Sequence, residues 1–342
     1  MSGSSPSESQ RLASLKGHRL GPYHSHNPVS ATQIWQWCSV IGDNNPLYHP
    51  GDHQVAPPAM MQMWTMRDVN DCYAPGSTDA PPYRVFDELT ALGYPANVAV
   101  SYDISFYRYL RVGECAQHYT SIANISDRKS TALGTGYFVT ERVKYLTLDD
   151  TAFAEALITY FQYQPILAPA ARDAQSLPGP AVGNTIPIIG EVSADTARPD
   201  YRDIAVASLN IGDRLPELVI PITHRLIVAG AIATQDFTPV HHNLPAARAA
   251  GMPDIFMNIL TSCGLSVRYL TDWAGSASRL SRLTFKLMAP NLPGDTMRLQ
   301  GEVVGLNVSP SGASVEIAYT GQNRLGVHIT GTATLAMPNL QG

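Results

Sequence analysis

Charged residues are few in this sequence, and neither sign is in large excess. Asp, Glu, Lys and Arg make up 15% of the 342 residues, and the formal net charge is -5. Chains that bind nucleic acid or an anionic membrane surface normally carry a basic excess, so neither partner is expected. Long apolar runs are also missing, since none approaches the ~18 residues that a membrane-spanning helix needs.

Cysteine is scarce, and its spacing is irregular. The four cysteines show no C-x-x-C pair: Cys38, Cys72, Cys115 and Cys263. We therefore expect neither disulfides nor a zinc site, and a reducing cytoplasm is the expected location. His24 and His26 form an H-x-H pair in a Pro/Ser-rich stretch. A solvated loop explains this pair better than a metal site does.

The length and composition allow two domains, each with its own core. The first residues, MSGSSPSESQ, lack the charged-then-apolar order of a secretory signal, and we expect residues 1–25 to be a flexible tail. Residues 166–204 are rich in Pro and Ala and predict a linker. They separate an N-terminal domain over residues 26–165 from a C-terminal domain over residues 205–342.

The same order of elements occurs in both domains. In the first, an apolar helical segment around Ile34–Val40 is followed by a Pro-marked helix start, APPAMMQMWTM, and then by the alternating NVAVSYDISFYRYLRVGE. In the second, IGDRLPELVIPIT leads to a helix start at MPDIFMNILTSCG and to strand-like segments such as VEIAYTGQ and GVHITGTATLAM. The pattern predicts an α+β repeat, in which an antiparallel sheet wraps one long buried helix per half. Two unrelated α+β domains are the alternative.

Two loops at corresponding places have the same layout. They read GDNNPLYHP, residues 42–50, and QDFTPVHHN, residues 235–243. Asp236 and His241 flank the turn-forming pair Thr238-Pro239, so both side chains can point into one cavity. A carboxylate and an imidazole that hold one water can take a proton from it and return a proton, as the addition of water to a double bond requires. Spacing alone also allows a purely structural role.

Other chemistries find less support. There is no G-x-S-x-G elbow or phosphate-binding G-x-x-x-x-G-K-[ST] loop, and Gly134-Thr135-Gly136 does not extend to G-x-G-x-x-G. His241-His242 lacks a cluster of further metal ligands. The dense apolar stretch is more typical of helix core than of a ligand site: Met60, Met61, Met63 and Trp64. Several basic residues could contact phosphates or form a solvated face: Arg268, Arg279, Arg282 and Lys286.

The second loop, DFTPVHHN, and the following DIFMNIL resemble the hydratase loop of the MaoC-like, (R)-specific enoyl-CoA hydratase family, which has the hot-dog fold. Four residues match that family's loop: Asp236, Thr238, Pro239 and His241. In the first loop Gly42, Asp43, Asn45 and Pro46 match, and Tyr48 stands where the histidine belongs. Within the family, the second half resembles the small catalytic subunit of bacterial steroid side-chain enoyl-CoA hydratases. The first half resembles the hot-dog domain of the larger subunit, so the chain looks like the two subunits joined.

The resemblance implies a double hot-dog enoyl-CoA hydratase that acts on a bulky acyl-CoA such as a steroid side-chain thioester. Asp236 would act as the base toward water, and His241 would orient that water. The backbone N–H groups of Met257 and Asn258 would hold the thioester oxygen.

The resemblance also implies a degenerate first loop, formed by Asp43, Asn45 and Tyr48, and an enlarged acyl pocket lined by residues 72–96. The CoA thioester would be the substrate, with no separate cofactor or metal. A homodimer is expected, with an aldolase or thiolase as a possible partner.

Three rival functions remain open from the sequence. They are an acyl-CoA thioesterase, a mesaconyl-type dehydratase for small acyl groups, and a non-catalytic acyl-CoA or sterol-binding protein. His49 lies one position after Tyr48, and we expect it to have a structural role. Cys263 is expected in the helix core.

Overall fold

The structure is a computed structural model that describes residues 8–166, 201–310 and 312–339. Most of the predicted linker, residues 167–200, and the first seven residues of the predicted tail lie outside the described residues.

One antiparallel sheet contains strands from both halves. Its strands are β1 (Leu20–His24), β2 (Ala96–Phe106), β3 (Ala116–Ile125), β4 (Lys129–Ser130), β5 (Gly134–Thr147), β6 (Ala152–Pro165), β7 (Arg214–Ile222), β8 (Arg279–Leu287), β9 (Asp295–Ser309), β10 (Gly312–Asn323) and β11 (Gly326–Pro338). The spatial order is β1-β3-β5-β6-β2-β8-β11-β10-β9-β7, with β4 paired to β5. The order is the same on both sides of the β2–β8 pair, so the predicted repeat is present.

The two halves are joined edge to edge at the centre of this sheet. Strand β2 pairs with β8 from Ser101 opposite Lys286 to Ser105 opposite Arg282. Because these edge strands satisfy each other's backbone hydrogen bonds, the two five-strand units form one continuous surface.

The described residues form six α-helices. They are α1 (Glu8–Ala13), α2 (Ala31–Ile41), α3 (Arg84–Ala91), α4 (His224–Ala233), α5 (Leu244–Ala249) and α6 (Ile259–Ala274). Helix α6 is buried along most of its length and is the central helix of the second half. A Cβ on Gly264 would lie 2.2 Å from the Trp37 ring, so α6 requires glycine there to pack against α2. No helix in the described parts of the chain is both long and apolar enough to span a membrane.

Within residues 8–166, the first half has no long buried helix of the kind that the sequence predicts. The stretch APPAMMQMWTM instead forms two 3-10 turns, Pro58–Met60 and Met63–Thr65. The Asp68 carboxylate accepts hydrogen bonds from the N–H groups of Asn70 and Cys72, and this Asx turn redirects the chain where a helix would continue. Met60, Met61 and Met63 are nevertheless buried, as expected for core residues.

The described part of the predicted tail is also ordered structure. Residues Glu8–Ala13 form α1, and β1 pairs with the sheet edge at β3. Leu12 and Tyr23 are buried, with Tyr23 fully inaccessible to solvent. These two large side chains anchor an otherwise polar segment, so the expectation of a flexible tail was wrong for residues 8–24.

Candidate active site

The structure brings Asp236 and His241 together in the loop after α4. Gln235 takes a left-handed conformation (φ 55°), and the Asp236 N–H returns to the carbonyl of Ala231 at 2.9 Å. Pro239–His241 then forms a 3-10 turn. As a result, Asp236 Oδ2 lies 3.5 Å from His241 Nε2, and the two side chains are 15% and 9% exposed.

A neighbouring carbonyl fixes the histidine ring. His241 Nδ1 lies 2.8 Å from the carbonyl oxygen of Phe256, and the Phe256 ring packs edge-on against the imidazole. A carbonyl can only accept, so Nδ1 carries the proton and Nε2 of the neutral ring is an acceptor. Nε2 and Asp236 Oδ2 are therefore two acceptors that face each other, and a water molecule that donates to both would satisfy them.

The Asp236 carboxylate is oriented by Thr238 and Asn258. Thr238 Oγ1 donates to Oδ1 at 2.7 Å, and Asn258 Nδ2 donates to Oδ2 at 3.0 Å. The same Asn258 amide donates to Thr234 Oγ1 at 2.9 Å, while its Oδ1 caps α6 by accepting the Thr261 N–H. Asn258 therefore couples the start of α6 to the carboxylate.

The sequence prediction included Asn258 only for its backbone N–H. A usable signal for its side chain was present, because asparagine directly before an apolar helical run is a preferred N-cap.

The two predicted oxyanion donors differ in the structure. The Met257 N–H donates to the carbonyl of Asn291 at 3.1 Å, so this donor is already used. The Asn258 N–H has no acceptor among the described residues, and it lies at the positive end of α6. Helix α6 begins at Ile259 with Asn258 as its N-cap, so the helix start that the sequence predicts at MPDIFMNILTSCG lies too early.

The first loop has the same backbone design but a different environment. Asp43 Oδ1 accepts the Asn45 N–H at 3.0 Å, and Pro46–Tyr48 forms the corresponding 3-10 turn. Asp43 and Tyr48 are each only 3% exposed, and Asp43 Oδ2 and the Tyr48 hydroxyl have no hydrogen-bond partner among the described residues. His49, next to them, is exposed.

Arg268 of helix α6, in the second half, packs against the first loop and covers it. Arg268 Nη1 donates to the Ile41 carbonyl at 2.6 Å, and its Nε donates to Asp272 at 3.2 Å. A Cβ on Gly42 would lie 2.8 Å from Arg268 Nη1, so the guanidinium fills the space beside the loop. Burial, and then the nearby Asp272 carboxylate, raise the pKa of Asp43 to about 7.

The basic residues that the sequence grouped together therefore have different roles. Arg268 is mostly buried, with 12% of its side chain exposed, whereas Arg282 is half exposed and pairs with Asp103 across the β2–β8 junction at 2.9 Å. Cys263 is buried in α6, as expected.

Replacing Asp43 with Asn tests the cost of this burial. Between the ordinary pKa of 3.8 and about 7, the folded chain holds a proton on Asp43 that the unfolded chain has lost. The contribution of Asp43 to the free energy of unfolding therefore falls as the pH rises from about 3.8 to about 7. We expect Asp43→Asn to match the wild type at pH 4 and to exceed it by about 4 kcal/mol at pH 8 in urea unfolding. A variant that is less stable than the wild type by the same amount at both pH values would contradict this account.

Sequence comparisons identify the family. The MaoC-like domain family matches residues 211–323, the half that contains Asp236 and His241. The beta subunit of 3-oxo-4,17-pregnadiene-20-carboxyl-CoA hydratase from Mycobacterium tuberculosis is 40% identical over 127 residues, which are 37% of this chain and 95% of that subunit. This chain belongs to the MaoC-like family.

The alpha subunit of the same mycobacterial hydratase is also similar to this MaoC-like chain. The identity is 30% over 160 residues, which are 44% of this chain and 50% of that subunit, so the chain spans half of that subunit's length. Similarity to both subunits is consistent with a fusion of the two, as the sequence predicted. The prediction of a MaoC-like hydro-lyase is thus confirmed at the level of the family.

Solved structures confirm the double hot-dog fold. A MaoC-like dehydratase superposes with a TM-score of 0.68 over 96% of this chain and 100% of that chain, at 18% identity. A conserved hypothetical protein from Mycobacterium tuberculosis, described as a double hot-dog, superposes with a TM-score of 0.56 over 95% of this chain and 97% of that chain, at 13% identity.

The first half of this MaoC-like chain contains a cavity beside its two 3-10 turns. The cavity is small, with a volume of about 40 Å³. Gln62 and Thr65 of the turn region line one side, and Tyr73 and Tyr83 of the segment 72–96 line another. The segment that the resemblance assigned to an acyl pocket therefore contributes two aromatic side chains to a cavity.

Proposed function

We propose that this chain adds water across the α,β double bond of a bulky acyl-CoA, namely a steroid side-chain thioester, at a site formed by Asp236 and His241. The observation that carries the proposal is the pair of acceptor atoms 3.5 Å apart, Asp236 Oδ2 and His241 Nε2, beside the start of α6. The steroid thioester is proposed because the name of the mycobacterial relatives specifies such a substrate.

The reaction follows from the positions of these groups. A water that donates one hydrogen bond to Asp236 and one to His241 has its oxygen lone pair free for attack on the β-carbon. Asp236 takes the water proton as the C–O bond forms, and the double-bond electrons move toward the thioester oxygen. The Asn258 N–H and the start of α6 stabilise that negative charge. The proton then goes to the α-carbon, and the net change is the addition of one water.

The first half has a different task in this proposal. Its loop has tyrosine in place of histidine and is closed by Arg268, so it supplies no second reaction site. The described residues of its core, within 8–166, form no long central helix, and we assign the space beside the 3-10 turns to the acyl group. The CoA thioester is the substrate, and we propose no separate cofactor. The homodimer and the aldolase or thiolase partner stay predictions.

Hydration of unsaturated acyl-CoAs tests the function. The wild-type chain is incubated with a steroid side-chain enoyl-CoA, loss of the enoyl absorbance is followed, and the product is weighed by mass spectrometry. We expect a product heavier by one water, with no free CoA detected by a thiol reagent. Free CoA without hydration would identify a thioesterase, and binding without any product would identify an acyl-CoA-binding protein.

A further inference from the structure

We propose that His328 of β11 positions the Asn258 N–H, the group that holds the thioester oxygen in the proposed reaction. His328 acts by fastening the loop between β8 and β9, residues 288–294, to the first turn of α6. This inference rests on the proposed hydratase function, because it takes the thioester oxygen as the acceptor for the Asn258 N–H. It adds a positioning residue that touches neither the substrate nor the reacting pair.

The three residues before α6 present two groups that the reaction uses. The Phe256 carbonyl fixes the His241 ring at 2.8 Å, and the Asn258 N–H is the donor toward the thioester oxygen. Between these two groups, the Met257 N–H donates to the Asn291 carbonyl of the β8–β9 loop at 3.1 Å. The direction of both groups therefore depends on where this loop lies relative to α6.

His328 bonds to the loop and to the helix at the same time. Its Nδ1 lies 2.7 Å from the Ala289 carbonyl oxygen, and its Nε2 lies 2.9 Å from Ser262 Oγ in the first turn of α6. The carbonyl can only accept, so Nδ1 carries the proton and Nε2 accepts a hydrogen bond from the Ser262 hydroxyl. Burial lowers the pKa of His328 to about 4, so the ring is neutral near pH 7. His328 thus connects the loop that holds Met257 to the helix that begins after Asn258.

The β8–β9 loop is itself fixed to the sheet. The N–H groups of Met288 and Ala289 donate to backbone carbonyls of β11. Asn323 Nδ2, at the end of β10, donates to the Pro290 carbonyl and to Asn291 Oδ1, each at 2.9 Å. Four successive loop residues are therefore held by the sheet, and the separation between the sheet and the start of α6 sets the position of the reacting groups.

The burial of this pair indicates a task beyond packing. His328 and Ser262 are 2% and 1% exposed. Two apolar side chains would fill the same space without the cost of removing polar groups from water. A buried hydrogen-bonded pair is satisfied in one arrangement only, so it fixes geometry as well as filling space. The pair therefore fixes the separation of β11 and α6 at the turn that presents the Asn258 N–H.

The infrared spectrum of a bound acyl-CoA tests the proposal without turnover. A saturated steroid side-chain acyl-CoA is labelled with carbon-13 at its thioester carbonyl, and the carbonyl stretch is recorded free and at saturation with the full chain. A hydrogen bond from the Asn258 N–H polarises the carbonyl and lowers this frequency. We expect a downward shift in the wild type and the loss of most of it in Ser262→Ala, which cuts the bond between His328 and α6. No shift in the wild type, or the same shift in Ser262→Ala, would overturn the proposal.

Two further variants separate positioning from stability. Thr271→Val removes another buried hydroxyl of α6, which donates to the Val267 carbonyl within the helix at 3.0 Å, and this matched control should keep the full shift. The double variant Ser262→Ala and His328→Leu removes both partners and should be more stable than Ser262→Ala in urea unfolding. We expect the shift to stay lost in the double variant. A shift that returns together with stability would overturn the proposal, since the pair would then be only structural.

The hydration assay gives an independent measure. Ser262→Ala should lower kcat for a bulky enoyl-CoA by about tenfold with little change in KM, because the negative charge on the thioester oxygen develops in the transition state. Thr271→Val should keep the wild-type kcat, and an unchanged kcat in Ser262→Ala would contradict the proposal. A wild-type chain that shows the infrared shift but no hydration would overturn the hydratase function and leave the positioning by His328 supported.

Discussion

Replacing Asp236 with Asn is expected to lower kcat for enoyl-CoA hydration by about 10³-fold, and His241→Ala should cause a loss of similar size. The amide of the first variant keeps the hydrogen-bonding shape but cannot take a proton from water. The second variant removes the acceptor that lies 3.5 Å from Asp236 Oδ2 and so releases one of the two contacts that hold the water. Steady-state rates with one bulky enoyl-CoA measure both effects.

The first loop provides the matched control for these losses. Tyr48→Phe changes the residue that corresponds to His241, in a loop where its hydroxyl is buried without a partner. We expect this variant to keep most of the wild-type kcat. Losses of the same order at Tyr48 and at His241 would show that both loops take part in the reaction.

Removing the Asn258 side chain should lower kcat by about 10- to 100-fold, because the amide that holds Asp236 Oδ2 is lost. Asn258→Ala and Asn258→Gly should lose activity equally, since neither has an amide. Their stabilities should differ, because alanine is a poor N-cap and glycine an acceptable one. We expect the alanine variant to be less stable by about 1 kcal/mol in urea unfolding.

The comparison of these two variants separates orientation from helix capping. If kcat follows stability, so that the glycine variant retains nearly the full rate, Asn258 would be only a cap. Equal losses of kcat with unequal stability support a positioning role. A similar KM in both variants would indicate that the loss arises in the chemical step.

Local signals in the sequence were sufficient for the sheet and for the proximity of Asp236 and His241. Period-2 alternation in segments such as VEIAYTGQ corresponds to β10, and the turn at Thr238-Pro239 does bring Asp236 and His241 together. No local pattern predicts the pairing of β2 with β8, because a join between two halves depends on both edges.

Features that depend on distant contacts could not be predicted. The apolar stretch Met60–Trp64 is equally compatible with a buried helix or with buried turns, since burial on every side removes helical periodicity. The closure of the first loop depends on Arg268, which is more than 200 positions away from Asp43 in sequence. Glu141 reads as an ordinary strand residue, and only the assembled sheet shows that it faces a cavity.

A crystal structure of the chain with a saturated steroid side-chain acyl-CoA bound would test the central claim most directly. The account predicts the thioester carbonyl beside Asp236 and His241, its oxygen near the Asn258 N–H, and the ring system in the cavity of the first half. A thioester bound at Asp43 and Tyr48, or a ring system outside that cavity, would contradict the proposal that the second half carries out the reaction and the first half binds the acyl group.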